Sequence, residues 1–517
     1  MALVRIAATV GGYTMVSRIL GFVRDILIAA TLGTGMVADA FFVAFKLPNF
    51  FRRLFAEGAF SAGFVPLFSS VLGGQGREQA KGFAEETLSV LLVVLLLVVV
   101  LFEVAMPWLM YGLAPGFADE PRKFALTVAL TRLTFPYLLL ISLVSLLSGV
   151  LNSLNRFAAA AAAPILLNLA FIIALTLFAG TMRTPGHALA WAVSLAGVAQ
   201  FVWLVWALRR AGLSLRLPRP RLTPRVKRLL TLMLPAAIGA GVVQINLVID
   251  VILASFLKSG SVSYLFYADR LYQLPLGVVG VAVGTALLPT LSRQVAAGEA
   301  AAANGSLNRA FELSMLLTFP AAAALMIIPH ELVGVLFQRG AFTARATDAT
   351  AAALAAYAVG LPAYVLVKVL TPAFYGRLDT RTPVIIAGIA VVANVILSLM
   401  LMGIFAHVGL AMATAIASWL NVALLTAVLY RRRHFVPDKR LAEKLENAGV
   451  ATVLMAIAIL IMAWAIADLL RGDLLLRGSG LALLVLTGIA IYGLAALAFR
   501  VIEPEQLGAL SRRRRDS

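Results

Sequence analysis

Long apolar stretches separated by short polar ones run through most of this chain. A helix needs about 20 apolar residues to cross the hydrocarbon core of a membrane, and stretches of that length recur from residue 4 to residue 499. Proline, glycine and charge clusters divide them into about fourteen segments, each long enough to span a bilayer. The pattern therefore predicts an all-α integral membrane protein with about fourteen transmembrane helices.

The predicted helices follow one another with short connections. The first six are expected near residues 4–32, 36–57, 82–111, 124–151, 157–179 and 187–208. Helices seven to twelve are expected to begin near Val226, Ser263, Leu307, Thr347, Thr382 and Val408. The last two are expected at residues 448–470 and 480–499.

A faint internal repeat, with a period of about 224 residues, divides this series into two halves. Residues 44–47 (AFKL) return as residues 268–271 (ADRL). Further matches are Pro66 with Pro289, Phe117 with Phe342 and Pro136 with Pro362. We interpret these matches as two six-helix lobes, at residues 1–210 and 227–432. A basic linker at residues 211–226 joins them, and two extra helices with a basic tail follow at residues 433–517. Six is an even number, so the two copies share one orientation in the membrane.

The composition agrees with a membrane protein and gives it an orientation. Hydrophobic residues make up 62% of the chain and charged residues 13%, and the mean hydropathy is +0.96. The net charge of +19 comes largely from Lys and Arg in alternate loops and in both tails. Because positive loops stay inside, both termini are predicted to be cytoplasmic. The same loops account for the basic charge without any binding of nucleic acid.

Two kinds of metal chemistry are unfavourable for this sequence. The chain has no cysteine, so it can form neither a disulfide nor a thiolate metal site. The four histidines, at positions 187, 330, 407 and 434, lie singly near segment ends and never at the spacing of metal ligands. A zinc site is therefore not expected.

The first two predicted helices carry an unusual number of charges. The residues concerned are Arg18, Arg24, Asp25, Asp39, Lys46, Arg52, Arg53 and Glu57. A charge at the bilayer centre costs about 2.5–3.5 kcal/mol, so these side chains should face a cavity, a partner charge or a ligand. Five of the eight are basic, which favours an anionic ligand. Pro48 is expected to break or kink the second helix.

A structural alternative remains open for these charges. Arg24 could pair with Asp39 and Arg18 with Asp25, in a lattice that only locks two helices together. Arg52 and Arg53 could instead reach the membrane surface, with Glu57 neutralising Arg53.

Three motifs carry a specific resemblance. They are RILGFVRD and DAFFVAFKLPNFFRRLFAEGAF within residues 17–68, and YADRLYQLPLGVVGVAVGTALLP within residues 259–292. Over essentially the whole chain the sequence resembles the bacterial lipid II flippase family MurJ, of the multidrug/oligosaccharidyl-lipid/polysaccharide exporter superfamily. The resemblance implies two six-helix lobes in a V shape plus two extra helices. It also implies transport of lipid II, the undecaprenyl-diphosphate-linked disaccharide pentapeptide, to the outer leaflet of the inner membrane for peptidoglycan synthesis.

The resemblance also implies roles for particular residues. The implied substrate-binding residues are Arg18, Arg24, Arg52, Arg270, Asp39, Asn49, Ser263 and Glu57, with supporting charges at Asp25, Lys46, Arg53 and Asp269. Some members of the family bind sodium, and Asp250 and Asp379 match those ligand positions, with Tyr375 where the family has an Asn. The expected protein is a transporter rather than an enzyme, works as a monomer by alternating access, and contacts membrane lipids but no nucleic acid.

Two other functions fit the sequence less well. A cation-coupled drug exporter, or an exporter of another lipid-linked oligosaccharide, would share the fold, but a site for cationic drugs should be acidic or apolar. A membrane enzyme acting on polyprenyl phosphates would need clustered acidic metal ligands, or a nucleophile with a base. The carboxylates of this chain are scattered instead.

Overall fold

The computed structural model describes residues 2–53 and 60–501, without the side chains of residues 2–7, 61–62, 234–243 and 281. All regular secondary structure in these residues is helical, which confirms the predicted all-α class. Glu57, one of the predicted site residues, lies outside the described ranges.

Eighteen α-helices are present in the described residues. In chain order they are α1 Ala2–Leu32, α2 Met36–Phe51, α3 Ser61–Gln75, α4 Arg77–Leu113, α5 Pro121–Thr134, α6 Tyr137–Ser153, α7 Phe157–Ile173, α8 Pro185–Arg210, α9 Pro224–Ser255, α10 Ser261–Pro275, α11 Val281–Ala296, α12 Ala300–Ile327, α13 Pro329–Phe337, α14 Ala344–Tyr375, α15 Arg381–Arg431, α16 Lys439–Ala465, α17 Ala467–Arg471 and α18 Leu474–Ala498. A 3₁₀ turn (Pro115–Asp119) precedes α5, and π-helical turns follow α7 (Ala174–Phe178) and α10 (Leu276–Gly280).

Ten helical stretches in the described part of the chain are long and apolar enough to cross a membrane. They include α5 with α6 as one stretch and α10 with α11 as another. The apolar stretches thus confirm a multi-pass protein, and the exact number of fourteen spans stays a prediction.

Helix α15 is a folded-back pair rather than one rod. Its 51 residues would extend about 76 Å if straight, yet Arg432 after its end donates to Asp379 before its start over 2.6 Å. The backbone turns at Ala406, where φ is 49° and ψ is −128°. The prediction of two helices, starting near Thr382 and Val408, is therefore confirmed.

The structure differs from the predicted helices at several breaks. Helix α2 continues through Pro48 and ends at Phe51, so Pro48 does not end it at once. The fourth predicted helix is divided at Phe135 and Pro136 into α5 and α6, because proline lacks the N–H that a continuous helix needs. The helices α3 and α13 lie in stretches that were expected to be connections, since both are too short to give a transmembrane signal.

The helix order repeats along the chain. The helix starts pair as Ala2 with Pro224, Met36 with Ser261, Arg77 with Ala300, Pro121 with Ala344, and Phe157 with Arg381. Each second start lies 222 to 225 residues after the first, close to the predicted period. The local order of elements thus follows the duplication that scattered residue matches indicated.

The chain forms two compact units, each with its own core. The first contains residues 1–263 together with residues 339–343, and the second contains the remaining residues. The first has a stack of phenylalanines at its core, including Phe64, Phe68 and Phe83. Helix α9 belongs to the first compact unit, although it begins the second copy of the repeat. The two divisions therefore differ, and the predicted lobe boundaries stay a prediction.

Candidate functional site

A polar network joins α1 to α7 within the first unit. The Nε and Nη2 atoms of Arg24 donate to Oδ1 of Asp25 over 3.0 and 2.8 Å, and its Nη1 donates to Oδ1 of Asn168 over 2.9 Å. The guanidinium also lies over the ring of Phe171, 5.5 Å from the centroid. The carboxylate oxygen and the amide oxygen thus fix the guanidinium in one direction through three hydrogen bonds, two of them charge-assisted on both sides.

Asn168 of α7 connects two residues of α1 in this network. Its Nδ2 donates to the backbone oxygen of Ser17 over 2.9 Å, while its Oδ1 accepts from Arg24. Gly21 lies beside it, since a Cβ there would be in ordinary van der Waals contact with the amide, at 3.7 Å. Sequence reasoning missed Asn168, although a single amide within the apolar run PILLNLAFII is itself a functional signal in a membrane helix.

The other predicted residues of α1 and α2 have different surroundings. Arg18 is exposed and has no ion-pair or hydrogen-bond partner among the described residues. Arg52 donates through Nε to Oδ1 of Asn49 over 3.1 Å, and Asn49 donates to the backbone oxygen of Phe45. Lys46 is half-buried and Arg53 is exposed. The structure thus brings Asn49 and Arg52 together one turn apart.

A second polar group, the Asp39 cluster, contains Asp39, Lys123, Ser259, Gly260 and Ser263. Asp39 and Lys123 are each 1% exposed. Lys123 Nζ donates to Asp39 Oδ2 and to Ser259 Oγ, each over 3.0 Å. A buried ion pair needs such additional hydrogen bonds to offset its desolvation.

Asp39 also caps the start of α10. Its Oδ2 accepts from the backbone N–H of Gly260 over 2.7 Å. Its Oδ1 accepts from the N–H and the hydroxyl of Ser263 over 2.9 and 2.5 Å. The first N–H groups of a helix have no partner within the helix, and a carboxylate at this end is stabilised by the helix dipole. The cluster therefore fixes the point where the chain leaves the first unit.

Lys123 was not predicted to belong to a site. The fourth helix was expected to begin at Phe124, so this lysine counted as a loop charge, but α5 already begins at Pro121. Lys123 also lies over the Phe117 ring, 4.0 Å from its centroid. The signal available in the sequence was a lysine directly against an apolar run.

The alternative charge lattice is wrong in its pairing. Arg24 pairs with Asp25 next to it, not with Asp39, and Asp39 pairs with Lys123. Arg18 has no contact with Asp25 among the hydrogen bonds and ion pairs of the described residues. The role of these residues in binding a substrate stays a prediction.

Two predicted residues of the second unit lie on α10. The guanidinium of Arg270 lies 4.6 Å from the ring centroid of Phe266. Asp269 accepts a hydrogen bond from Gln273 one turn later. Both side chains are half-buried.

The predicted sodium ligands fit a cation poorly. Asp379 accepts from the N–H and the hydroxyl of Thr382 over 2.9 and 2.7 Å, and from Arg432 over 2.6 Å. These hydrogen bonds, those of Thr382 first, lower the pKa of Asp379 to about 2. Both carboxylate oxygens already have donors, and a cation would have to displace Arg432. Asp250 is half-buried on α9, and the described residues contain no group of three His, Asp or Glu suited to a metal.

Comparison with known proteins identifies relatives over most of the chain. The family model described as lipid II flippase MurJ matches residues 28–478. A probable lipid II flippase MurJ of Rhizobium tropici is 48% identical over 502 residues, which cover 96% of this chain and 94% of the relative. A lipid II flippase MurJ of Burkholderia cenocepacia is 37% identical over 442 residues, which cover 85% and 86% of the two chains.

Solved structures have the same fold. A lipid II flippase MurJ in an inward closed conformation superposes with a TM-score of 0.77 at 25% identity, covering 95% of this chain and 98% of that one. An inward-facing multidrug resistance transporter of the MATE family and the MOP superfamily superposes with a TM-score of 0.68 at 14% identity, covering 83% and 98%. At that identity the second likeness concerns the fold alone.

Proposed function

Because this chain belongs to the lipid II flippase MurJ family, we propose that it moves lipid II from the inner to the outer leaflet of the bacterial inner membrane. The observation that carries the proposal is the family match over residues 28–478. The charged side chains within α1 and α2 support it, since a diphosphate headgroup needs cations inside the membrane. The product of this step serves peptidoglycan synthesis.

Arg18 and Arg24 have different roles in binding the headgroup in this proposal. Arg18 is exposed and without a partner among the described residues, so it can make the first contact with a diphosphate oxygen. Arg24 is paired with Asp25 and oriented by Asn168. It therefore offers its remaining N–H groups in a fixed direction, and little entropy is lost when an anion binds.

Transport requires that both leaflets be reached in turn. We assign this to alternating access, in which the lobes rock around a fixed site. The Asp39 cluster serves as the structural anchor of α10 during this motion, because its ion pair is too costly to break in a dry interior. Arg52 and Arg270 are the further cations assigned to the cavity.

The remaining expectations belong to the same proposal. The chain acts as a transporter without catalysis, as a monomer, with both termini in the cytoplasm and without nucleic acid as a partner. The concentration of Lys and Arg in the linker and the tails supports this orientation. Sodium has no assigned step.

Complementation tests the proposal. In a strain depleted of its own lipid II flippase, the wild-type chain should restore growth. Arg18→Ala and Arg24→Ala should fail at matched membrane abundance, because each removes a cation that grips the headgroup. Arg293→Ala, an arginine of α11 outside the proposed site, is the control and should rescue. Rescue by both site variants would leave the family assignment but remove the assigned cations.

A further inference from the structure

An apolar slot lies on the first unit, away from the charged residues of α1 and α2. One face of α4 forms its long wall, with Thr87, Val90, Leu91, Val94, Leu95 and Val98. These positions follow the i, i+3, i+4 spacing of a single helical face. From Thr87 to Val98 the wall measures about 16 Å at 1.5 Å per residue, which is about half of the roughly 30 Å hydrocarbon core.

The first two turns of α9 form the opposite wall. Val226, Leu229, Leu230 and Met233 face the slot at positions i, i+3, i+4 and i+7. The cavity measures about 160 Å³. An apolar cavity of about 150 Å³ stays dry and accepts apolar ligands, so this volume suits part of a hydrocarbon chain.

The hydroxyl groups that line the slot need no hydrogen bond from an occupant. The slot contains two hydroxyl groups, and each already donates to the backbone oxygen four residues earlier: Thr87 to Phe83 and Ser142 to Leu138, both over 2.8 Å. Val94 and Leu230 in the walls are 48% and 43% exposed, so the slot opens sideways toward the lipid.

A strongly basic segment lies at one end of this slot. Residues 209–228 contain Arg209, Arg210, Arg216, Arg219, Arg221, Arg225, Lys227 and Arg228, and no acidic residue. Thr223 donates to Glu86 over 2.8 Å, directly beside the slot residue Thr87, and the backbone N–H of Arg216 donates to Glu85 over 2.8 Å. These contacts fix the segment at the mouth of the slot.

The basic segment also carries apolar side chains suited to the membrane interface. Leu217 and Leu222 are 64% and 58% exposed between the arginines. On α9, Arg225 and Lys227 lie on the two sides of the slot-facing residues, each about 100° around the helix axis from Val226. Arg225 is held by Gln75 and Gln79. Lys227 is exposed and has no ion-pair partner among the described residues.

We propose that this slot and the basic segment bind one anionic diacyl phospholipid of the cytoplasmic leaflet, with an acyl chain between α4 and α9 and its phosphate at Lys227. Basic groups beside helices on the cytoplasmic side typically bind anionic headgroups. The slot length matches one leaflet, and the charge sits at the interfacial end. The proposal depends on the orientation given by the loop charges and not on transport of lipid II.

Photocrosslinking of the purified full-length protein in nanodiscs tests the proposal. The probe is phosphatidylglycerol with a diazirine on one acyl chain, compared with the phosphatidylcholine analogue. We expect crosslinks on α4 between residues 87 and 98 for phosphatidylglycerol. Val90→Phe should fill the slot and abolish them, whereas Val100→Phe, on the lipid-facing side of α4, should leave them unchanged.

Charge variants keep the test informative if Val90→Phe does not fold. Lys227→Gln should lower phosphatidylglycerol crosslinking about fivefold, while Lys439→Gln, an exposed lysine at the start of α16, should have no effect. Equal labelling by both lipids, or no effect of Lys227→Gln, would contradict the proposal. Displacement of phosphatidylglycerol by undecaprenyl phosphate at equal concentration would assign the slot to a polyprenyl tail and overturn it.

Discussion

Asp39 and Lys123 together show how a charge can be kept inside this protein. Both are almost completely buried, and four donors share the two oxygens of Asp39. Removal of one partner would leave an uncompensated buried charge, which costs about 3–5 kcal/mol, whereas removal of both is far less costly.

We therefore predict a characteristic order of thermal stability. Asp39→Asn should lower the Tm of the detergent-purified protein strongly, and the double variant Asp39→Asn/Lys123→Met should recover part of the loss. Ser263→Ala, which removes only the hydroxyl donor, serves as the mild control. Equal melting temperatures for Asp39→Asn and the wild type, or strictly additive losses, would show that the ion pair has no such role.

Asn168 gives a second prediction, because it orients Arg24 without being an ion. Asn168→Ala removes one hydrogen bond to a charged group, which contributes about 1.5–3 kcal/mol. Rescue of a flippase-depleted strain should weaken while membrane abundance stays normal. Asn152→Ala, at the end of α6, is the matched control. An Asn168→Ala variant that rescues as well as the wild type would mean that Arg24 needs no positioning.

The sequence indicated the charged character of this region but not its pairing. Asp25 and Asp39 stood out because carboxylates are rare in membrane helices. The partners of Asp39 and Arg24 could not be deduced, because Lys123 and Asn168 come from helices far along the chain, and helical phase alone does not show which helices touch. Arg24 lies about 100° from Asp25 on the helix, yet its long side chain reaches the neighbouring carboxylate.

At the scale of elements, the breaks were harder to predict than the helices. The length of an apolar segment predicts that it crosses the membrane, but it does not show where the helix is briefly interrupted. The π-helical turn Leu276–Gly280 between α10 and α11 lies in a continuous apolar run. Tertiary packing decides such breaks, and Gly284 beside this turn, whose Cβ would lie 2.8 Å from the backbone oxygen of Lys368, is an example of close approach.

The contact between the two ends of the α15 hairpin, opposite the turn at Ala406, yields a pH prediction. The pKa of Asp379 is lowered to about 2 by its hydrogen bonds to Thr382 and, after these, by Arg432. A lowered pKa means that the carboxylate stabilises the folded state above its ordinary pKa of 3.8, and this contribution is lost as pH falls toward 2. The hairpin contact should thus be constant across the neutral range.

The measurement compares the Tm of the wild type and Asp379→Asn between pH 8 and pH 3. The difference should be constant down to about pH 5 and shrink below about pH 4. Asp119→Asn, an exposed aspartate at the end of a 3₁₀ turn, controls for general charge effects. A difference that grows on acidification would contradict the assignment.

At the scale of the molecule, the duplication could be inferred from few residues, because matching residues recur at a nearly constant separation along the sequence. The pair Lys46 and Arg270 indicated the period, and the helix starts follow it to within a few residues. The compact units could not be inferred in the same way. Helix α9 begins the second copy in the sequence but belongs to the first compact unit. A sequence repeat does not show which helices a given helix packs against.

The most direct test of the central claim is the leaflet distribution of lipid II in cells whose own flippase is depleted. With the wild-type chain, newly made lipid II should become accessible to an external probe in the outer leaflet. With Arg24→Ala at equal abundance, it should accumulate inside. Outer-leaflet lipid II at wild-type levels in the Arg24→Ala cells would contradict the assigned mechanism, and its absence with the wild-type chain would contradict the function.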